Sequence, residues 1–592
     1  MGDIIEERTK KIAEKLNLKK NWYWFVFAII AWVGYWIRTR NVSLLIDATT
    51  GKYIPSELDS FAFLRYAQYI LENGSLYNID YMRYYPWGYP HMVEFSFLSN
   101  VIVYLYKFLH FFNSSMTLEK ADVLYPPIAF IMGLVFFFLL VKKLFDYRVA
   151  LLSSLLLIIT PPYLPRTTAG FGDKEALAMA FFFAAIYFFV MSWKSKSWKG
   201  VTISGILAGI STGLMGLVWG GSIFAFLIFG MFAMIYLFFI RFSKKKLLAY
   251  SLWLIVSFAM LMMFREYQLF GLIAGFSTGF ATLVVFSGII YLVSSKLKIE
   301  NKIKNKIPLG VFSLACGALF SFALILILFD FSYIVSLLND VFVNLTSPFG
   351  QGRWVLTVAE AHQPYFTDWI DHLSWKYMIA SLIGSSLLFY DLTKKILNKK
   401  ERIISVSLYT FMILGIVLNR YSASSVFNGE SFISRLFYFG SMIVFISSFM
   451  LFYLWLFKNK ERFQKIRKLK ISYIFAIAWF IIMILSGRTA IRLLMILAPI
   501  TIIIFSYFVF RLIDISIKKK EIYTKIGLWA VLFLVLINPI SLSSTFAFGI
   551  FDRGVINNYY TISSTQARYT SPGYNIQWQK AGEWVRNNTP EP

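Results

Sequence analysis

The residues of this sequence that could do chemistry together form a small set of acids. The chain holds 31 Asp and Glu residues against 58 Lys and Arg residues. Glu57 and Asp59 lie in "PSELDSFAFLRYA", Asp173 and Glu175 in "AGFGDKEALA", and Glu360 in "TVAEAHQP". Carboxylates gathered in one place repel one another, and a divalent cation relieves that repulsion. Ligation by oxygen alone favours hard ions such as Mg²⁺ or Mn²⁺ over Zn²⁺.

Each acid also has a purely structural interpretation. Asp59 and Asp173 could cap helices, because a carboxylate at a helix N-terminus accepts backbone N–H groups and suits the helix dipole. Glu175 could pair with Lys174 or with a nearby arginine, and Glu360 could be solvated in a polar loop. The choice between these interpretations depends on the elements that position the side chains.

The composition predicts that those elements are membrane helices. Of the 592 residues, 58% are hydrophobic and 19% are aromatic, and the mean hydropathy is +0.63. Many apolar windows reach the length of about 18–25 residues that crosses a bilayer. The runs are continuous rather than alternating, which excludes a membrane β-barrel. We therefore predict an all-α polytopic membrane protein.

The net charge of +27 does not indicate nucleic-acid binding. Basic residues cluster between apolar runs, as in "RFSKKK" and "KNKERFQKIRKLK". Under the positive-inside rule these clusters are cytoplasmic loops, which also attract anionic lipid headgroups. Cys316 is the single cysteine and lies in an apolar run, so a disulfide framework and a thiolate metal site are excluded.

The apolar runs predict the topology. With the N-terminus inside, every Lys/Arg-rich loop falls inside if residues 93–113 form an external or re-entrant helix rather than a span. Fifteen spans then follow, at roughly 22–39, 122–141, 148–164, 174–192, 200–218, 222–241, 247–264, 269–295, 309–332, 376–392, 403–418, 433–457, 471–486, 490–513 and 524–543.

This topology collects the acids on one face of the membrane. Residues 1–543 are predicted to form a transmembrane catalytic domain with external loops at about 40–121 and 333–375. Residues 544–592 are predicted to begin an external soluble domain that is truncated here. Asp173 and Glu175 lie at the outer mouth of a span, and ionisable residues at membrane level indicate function.

The acidic stretches resemble those of oligosaccharyltransferase catalytic subunits, including the single-subunit type of archaea and bacteria. "GFGDKE" looks like the G-x-x-D-x-[E/D/H] signature of that family, and Asp59 looks like the Asp that closes its first acidic motif. "TVAEAHQP" is similar to the family's motif in a large external loop. Further landmarks follow in the expected order: "GLVWGG", "AIRLLMILAP" and "WQKAGEWVRNNTPEP". The resemblance implies a GT-C type glycosyltransferase with about 13–15 transmembrane helices.

The activity implied by this resemblance is that of a dolichyl-phosphooligosaccharide-protein glycotransferase. Such an enzyme moves a glycan from a polyprenyl (dolichyl) phosphate or diphosphate to the Asn nitrogen of an N-x-S/T sequon. By analogy, Asp59 and Glu360 would be catalytic, accepting the amide hydrogens and localising the nitrogen lone pair. Asp59, Asp173, Glu175 and Glu360 would hold Mg²⁺ or Mn²⁺, which would offset charge on the departing phosphate.

The resemblance also implies substrate-binding residues and partners. Arg492 has the forked donor set that suits phosphate or a peptide carboxylate, although a snorkelling arginine is the simpler interpretation and Arg435 is a rival. Glu57 and His362 are assigned to substrate binding as well. The expected partners are a lipid-linked oligosaccharide, an acceptor polypeptide with an N-x-S/T sequon and membrane lipids, without nucleic acid. The expected location is the cell membrane, with the active site on the extracytoplasmic face.

The sequence departs from the family pattern at two points. The family usually has thirteen spans, and the surplus pair here falls between Glu360 and Arg492. The "WWDYG" motif that reads the sequon Ser/Thr is missing from this sequence. We expect that motif in a continuation of the chain or in a separate protein, and we expect residues 1–592 alone to glycosylate poorly. Residues 357–364 are expected to order when peptide binds.

Two other functions stay open at this point. Another polyprenyl-phosphate glycosyltransferase, such as a protein mannosyltransferase or a lipid-A aminosugar transferase, would share an acid in the first loop. It would not be expected to combine "TVAEAHQP", "GFGDKE" and "RLLMILAP". A transporter or flippase for a lipid-linked anion would need charged groups along a route through the midplane. Most predicted spans are apolar through their centres.

Overall fold

The computed structural model is helical nearly throughout the part of the chain that it describes. The described residues are 18–90, 93–265, 267–299, 307–346, 357–466, 469–538 and 553–590. Within these ranges the strands are limited to a short antiparallel hairpin, β1 (Ile79–Asp80) and β2 (Tyr89–Pro90). The fold is thus a helical bundle, and its function has to be sought where helix ends meet.

The first half of the bundle contains α1 (Leu18–Arg38), α2 (Leu58–Asn73), α3 (Val93–Phe112), α4 (Leu118–Leu144), α5 (Tyr147–Ile159), α6 (Glu175–Lys194), α7 (Trp198–Val218), α8 (Ile223–Phe239), α9 (Lys244–Arg265), α10 (Leu269–Ala274) and α11 (Phe276–Lys296). The second half contains α12 (Leu309–Leu328), α13 (Phe331–Thr346), α14 (Phe366–Leu373), α15 (Trp375–Thr393), α16 (Lys399–Leu418), α17 (Phe432–Lys458), α18 (Lys460–Ile466), α19 (Ile471–Gly487), α20 (Leu494–Lys518), α21 (Ile522–Leu536), α22 (Val555–Tyr569) and α23 (Ile576–Asn588).

A helix lies on each of the fifteen predicted spans. Among the described residues, ten helices are long and apolar enough to cross a membrane, which confirms the all-α, multi-pass prediction. The predicted span at 269–295 is not continuous, because Gly275 has extended backbone dihedrals and separates α10 from α11. Three shorter apolar helices, α5, α19 and α21, occupy predicted spans as well.

The core of the bundle is built from helices that are apolar around their whole circumference. α20 is buried along most of its length and packs on α5, α15 and α19. α7 approaches α9 closely through glycines spaced four residues apart. A Cβ atom at Gly209 would lie 2.6 Å from Val256 Cβ, and one at Gly213 would lie 2.4 Å from Met260 Cβ. Small residues at this spacing let helix backbones approach within a membrane.

Helix α3 does not cross the bundle. Near its first turns, Ser99 Oγ donates to the backbone oxygen of Phe63 in α2 at 3.0 Å. Its last residue is connected to the start of α4 by a short segment, residues 113–117. The beginning of α3 and its end therefore both lie at the end of the bundle where α2 and α4 begin. This is the arrangement expected of an external or re-entrant helix.

The segment 333–375, predicted as an external loop, contains helices. α13 begins at Phe331, where Asp330 Oδ1 accepts the Tyr333 N–H at 2.9 Å. Apolar residues recur at helical spacing in "FSYIVSLLNDVFVNLT", and α13 packs on α11 and α12. α14 follows within the same region. Residues 347–356 lie outside the described residues.

The tail packs on the end of α5 and on the segment between α1 and α2. Ser563 Oγ of α22 donates to Ile159 O at 2.7 Å, and Gly573 N donates to Pro55 O at 3.2 Å. Gln579 Oε1 of α23 accepts the Ala48 N–H at 2.8 Å. The predicted domain boundary at 543/544 falls among residues 539–552, outside the described residues, so the division into domains stays a prediction.

Candidate active site

Three helix N-termini meet at one end of the bundle, with the loop before α6 packed between them. A Cβ atom at Gly172 would lie 3.1 Å from Asp122 Oδ1 of α4 and 3.3 Å from Ser60 Cβ of α2. The Tyr125 hydroxyl donates to the backbone oxygen of Asp173 at 2.6 Å. Glycine at position 172 therefore permits a close approach that brings the first two acidic stretches together.

The first stretch is organised by Glu57, not by Asp59. Glu57 is the N-cap of α2, and its carboxylate accepts the Ser60 N–H at 3.1 Å and the Ser60 hydroxyl at 3.2 Å. The prediction that Asp59 caps this helix was wrong, because the helix already begins at Leu58. Asp59 lies exposed in the first turn, where a carboxylate still suits the helix dipole. Its side chain is therefore open to a substrate.

The charge of an acid in the second stretch affects the pKa of an acid in the first. Burial chiefly raises the pKa of Glu57, and the negative charges of Asp173 and Asp59 raise that pKa further. Backbone N–H groups at Asp59 and Ser60 oppose the change without cancelling it. The predicted convergence of these three carboxylates is present in the fold.

Asp173 is the most deeply buried acid of the predicted set, with a relative exposure of 8%. Burial in the first place and then the charge of Glu175 raise the pKa of Asp173 to about 7, although the charge of Lys174 lowers it. Asp173 Oδ1 accepts the Lys174 N–H at 2.8 Å. The capping interpretation is therefore wrong for this residue too, since Lys174 is the N-cap of α6.

An arginine missed by the sequence analysis connects the second acidic stretch to the third. Arg166 Nη1 lies 3.1 Å from Glu175 Oε1, and Arg166 Nη2 also pairs with Glu360 Oε2. Arg166 belongs to a short 3₁₀ helix, Pro165–Thr167, and its guanidinium lies 5.2 Å from the Phe171 ring centroid. The signal was available in "LPRTTAGFGDKE", where a lone arginine stands on the face predicted to hold acids.

The segments of Glu360 and Arg492 touch. Glu360 lies in the 3₁₀ helix Ala359–Ala361, and Arg492 lies in the 3₁₀ helix Ile491–Leu493. The Ile491 N–H donates to the backbone oxygen of His362 at 3.0 Å. The side chains of His362 and Arg492 are both exposed. The structure thus places Arg492 beside the third acidic stretch.

Other arginines near this end differ in their surroundings. Arg435, the rival of Arg492, is exposed in the first turn of α17. Arg488 is buried, donates to Asn419 Oδ1 at 2.7 Å and to Leu345 O at 3.2 Å, and lies 4.1 Å from the Tyr438 ring centroid. Because Arg488 is already engaged by protein groups, Arg492 is the better placed of these residues to meet a ligand.

A further acid, Asp122, was also missed. It is fully buried in the first turns of α4, and within the described structure neither carboxylate oxygen has a hydrogen-bond partner. Gly172 lies against it, so Asp122 is directly behind the loop that carries Asp173. Its position in "LEKADVLYPP", at the start of an apolar run, was the signal that an ionisable residue enters the membrane region.

The acids fit a divalent cation in kind. All of their donor atoms are carboxylate oxygens, which are the ligands that Mg²⁺ and Mn²⁺ prefer. Asp173 and Glu175 repel one another, and Glu175 Oε2 is buried without a hydrogen-bond partner among the described residues. In the part of the chain that the structure describes, no group of three His, Cys, Asp or Glu side chains is gathered tightly enough to ligate an ion. Arg166 lies between Glu175 and Glu360.

Comparison with known proteins places the chain in a family. A family profile described as "Oligosaccharyl transferase STT3, N-terminal" matches residues 22–419. The dolichyl-phosphooligosaccharide-protein glycotransferase of Methanococcus voltae is 24% identical over 233 residues, which are 37% of this chain and 25% of that protein. Dolichyl-phosphooligosaccharide-protein glycotransferase 3 of Archaeoglobus fulgidus is 29% identical over 196 residues, 30% of this chain and 22% of that protein.

Solved structures share the fold. AglB from Archaeoglobus fulgidus, in complex with an inhibitory peptide and a dolichol-phosphate, superposes with a TM-score of 0.66 at 16% identity, over 97% of this chain and 59% of that one. The Archaeoglobus fulgidus oligosaccharyltransferase tethered to an acceptor peptide with the NVT sequon gives 0.60 at 17% identity, over 97% and 58%. The chain thus spans about three fifths of these neighbours. The predicted GT-C type fold is confirmed.

The family match contains all three acidic stretches and the arginine that connects two of them. Residues 57–59, 166–175 and 360 all lie within the matched range of 22–419. This range covers most of the chain, so the predicted resemblance is confirmed. The chain belongs to the oligosaccharyl transferase STT3 family.

Proposed function

We propose that this chain supplies the membrane-embedded catalytic machinery of an oligosaccharyltransferase. The reaction transfers a glycan from a dolichyl phosphate or diphosphate to the Asn side chain of an N-x-S/T sequon. One observation carries the proposal: acids far apart in sequence meet at one bundle end, where Arg166 bridges Glu175 and Glu360. The names of the relatives and the dolichol-phosphate and peptide complexes of the structural neighbours support it.

The acceptor amide sets the chemical problem. An amide nitrogen is a poor nucleophile, because its lone pair is delocalised into the carbonyl group. Asp59 is exposed, and the Glu360 side chain keeps 42% of its surface accessible, so both can reach an incoming side chain. In the proposed reaction these carboxylates accept the two amide hydrogens and orient the nitrogen towards the sugar.

Asp59, Asp173, Glu175 and Glu360 would hold Mg²⁺ or Mn²⁺. A bound divalent cation supplies a Lewis acid that offsets charge on the departing phosphate. Arg166 keeps Glu175 and Glu360 in position and compensates part of their charge. The pair uses Oε2 of Glu360, so Oε1 is proposed to accept the amide hydrogen while Arg166 holds the side chain.

Arg492 is proposed to bind the phosphate of the lipid carrier. Its side chain is exposed beside the Glu360 segment, and a guanidinium recognises phosphate through paired N–H donors. His362 and Glu57 border the same region and are proposed to contact substrate, although Glu57 also caps α2. The whole site is proposed to face the extracytoplasmic side, because the Lys/Arg-rich loops lie at the opposite end.

The proposal is tested by transfer of a labelled glycan to an N-x-T peptide by the full-length protein in lipid, with and without EDTA. Asp59→Ala and Glu360→Ala are expected to lose roughly 10²–10⁴-fold in rate, as removal of a general base does. Glu72→Gln, which changes an exposed acid at the far end of α2, serves as the matched control.

Each result has a clear meaning. Full activity in Asp59→Ala or Glu360→Ala would contradict the residue assignments. Activity that is unchanged by EDTA would contradict the cation. Transfer to peptides that lack the sequon as fast as to those that contain it would contradict the proposed acceptor.

A further inference from the structure

A second cavity with a charged lining lies at the bundle end opposite the acidic site. α4 and α6 have their first residues at the acidic site and their last residues, Leu144 and Lys194, in the wall of this cavity. A helix of 20 residues, the length of α6, spans about 30 Å. The cavity has a volume of about 960 Å³. It is therefore separate from the proposed active site.

Basic residues outnumber acidic ones in the lining. The acids are Asp146, Asp391 and Asp514. The bases come from α5, α6, α15, α20 and the segments beside them: Arg148, Lys194, Lys394, Lys395, Lys470 and Arg511. The basic residues surround a single concave space. Their arrangement is therefore more specific than the general clustering of Lys and Arg in the loops.

The two arginines account for all three acids. Arg148 pairs with Asp146 at 3.2 Å and with Asp514 at 3.1 Å. Arg511 holds Asp391 through Nε at 2.7 Å and Nη2 at 2.9 Å. Two guanidinium groups thus face three carboxylates, which leaves this part of the wall with one net negative charge, and the positive excess of the whole lining resides on the four lysines.

The lysines are without acidic partners among the described residues. Lys194 Nζ donates to Lys143 O and to Ser472 Oγ, each at 2.7 Å, and both acceptors are neutral. Lys470 Nζ lies 4.6 Å from the Tyr473 ring centroid. Lys394 and Lys395 are exposed where α15 ends. An anion that enters the cavity would find ammonium groups that no carboxylate already neutralises.

Aromatic side chains form part of the cavity wall. The Phe145 ring centroid lies 5.9 Å from that of Tyr473 and 5.5 Å from that of Tyr507. Phe510 lines the same wall. Tyrosine, here Tyr473 and Tyr507, is enriched where a bilayer meets water, the level at which lipid phosphates lie. The cavity therefore combines an apolar part with a positive one, as a lipid headgroup with its first methylene groups requires.

We propose that this cavity binds a phosphate group, carried by an anionic phospholipid of the leaflet opposite the acidic site. Lys194, Lys394, Lys395 and Lys470 contact the phosphate, and the aromatic wall contacts the start of the acyl chains. Diffuse attraction of basic loops to an anionic leaflet has no fixed stoichiometry. The cavity instead predicts one tightly bound lipid per chain.

The proposal is tested on delipidated full-length protein in detergent by native mass spectrometry. The probes are dioctanoyl phosphatidylglycerol, dioctanoyl phosphatidylcholine and inorganic phosphate. We expect one phosphatidylglycerol per chain to bind with at least tenfold preference over phosphatidylcholine. The double variant Lys394→Gln/Lys395→Gln is expected to weaken that binding by roughly tenfold or more, from about 1 kcal/mol per lysine.

The control is Lys399→Gln/Lys400→Gln, which removes the same charge from nearby exposed lysines outside the cavity. Equal losses in the two double variants, or no loss in either, would overturn the proposal. Competition by inorganic phosphate at equal concentration would assign the site to a free phosphate instead of a lipid. Lys470→Gln is a second variant, should the first fail to fold.

Discussion

The two ends of the bundle hold their charges in opposite ways. At the acidic end, acids from three sequence-distant stretches meet, and one arginine, Arg166, pairs with Glu175 of the second stretch and Glu360 of the third. At the opposite end, the two arginines pair with all three acids of the cavity wall, and the lysines have no acidic partner among the described residues. The net charge is thus negative among the acids of the first end and positive in the cavity wall of the second. This difference in charge means that the two ends suit different ligands. The acidic end suits a cation and the acceptor amide, and the opposite end suits a phosphate.

The largest expected effect comes from removing the arginine of the acidic end. Arg166→Met would leave Glu175 and Glu360 without their partner, and we expect glycan transfer to fall by roughly 10²-fold or more. Arg166→Lys keeps the charge but loses the fork that reaches both acids, so we expect an intermediate rate. The measurement is the initial rate of transfer to an N-x-T peptide. Wild-type rates in Arg166→Met would show that the bridge is incidental.

The second effect concerns the pKa of Asp173, which is raised to about 7 in the fold from an ordinary value of 3.8. A raised carboxyl pKa contributes stability that is fully present below about pH 4 and lost as pH rises through about 7. In Asp173→Asn this pH-dependent loss of stability should be absent. We therefore expect the variant to be more stable than wild type at pH 8, by roughly 2–4 kcal/mol. Thermal unfolding without added metal, from pH 4 to pH 8, measures it.

The same titration predicts the pH profile of the reaction. An ionised Asp173 is needed for the proposed cation, so transfer should decline as pH falls, and a higher cation concentration should move the decline to lower pH because the cation competes with the proton. Parallel stability curves for wild type and Asp173→Asn across that range would show that Asp173 does not titrate there.

A third prediction tests how tightly the acidic end is packed. Gly172→Ala would place a Cβ atom 3.1 Å from Asp122 Oδ1 and 3.3 Å from Ser60 Cβ. We expect it to lower the free energy of unfolding by about 1–3 kcal/mol and to slow transfer. Gly220→Ala is the matched control, since a Cβ atom there meets nothing within 4 Å. Equal stability of the two variants, measured by thermal unfolding, would contradict the close approach.

The smallest expected effect sharpens the separation of the two ends. Lys394→Gln/Lys395→Gln changes exposed side chains that are far from the acids. We expect the free energy of unfolding to stay within about 0.5 kcal/mol of wild type, and the transfer rate to be unchanged in detergent. A large fall in rate in detergent without lipid would show that the two ends are coupled.

Local patterns in the sequence predicted the bundle well. Continuous apolar runs identified the membrane helices, and the distribution of Lys and Arg predicted that α3 does not cross the bundle. The convergence of Glu57, Asp59 and Asp173 followed from topology alone. The helix at Phe331–Thr346 was not predicted, although apolar residues recur in it at helical spacing.

Side-chain partners could not be predicted in the same way. The pairing of Arg166 with Glu360 joins residues 194 positions apart, and no periodicity in the sequence encodes such a contact. The N-cap role of Glu57 instead of Asp59 depended on a helix boundary shifted by two residues, within the ordinary error of such boundaries. The prediction that residues 357–364 order on peptide binding remains to be tested.

The docking of the tail on the first loop has a consequence for local unfolding. Gly573 N donates to Pro55 O, and the Tyr574 ring centroid lies 5.2 Å from that of Phe61, two residues from Asp59. Segments held by shared contacts open together as one cooperative unit. Amide hydrogens of residues 56–61 and 573–579 should therefore exchange at a common rate, and a substitution in either segment should accelerate exchange in both.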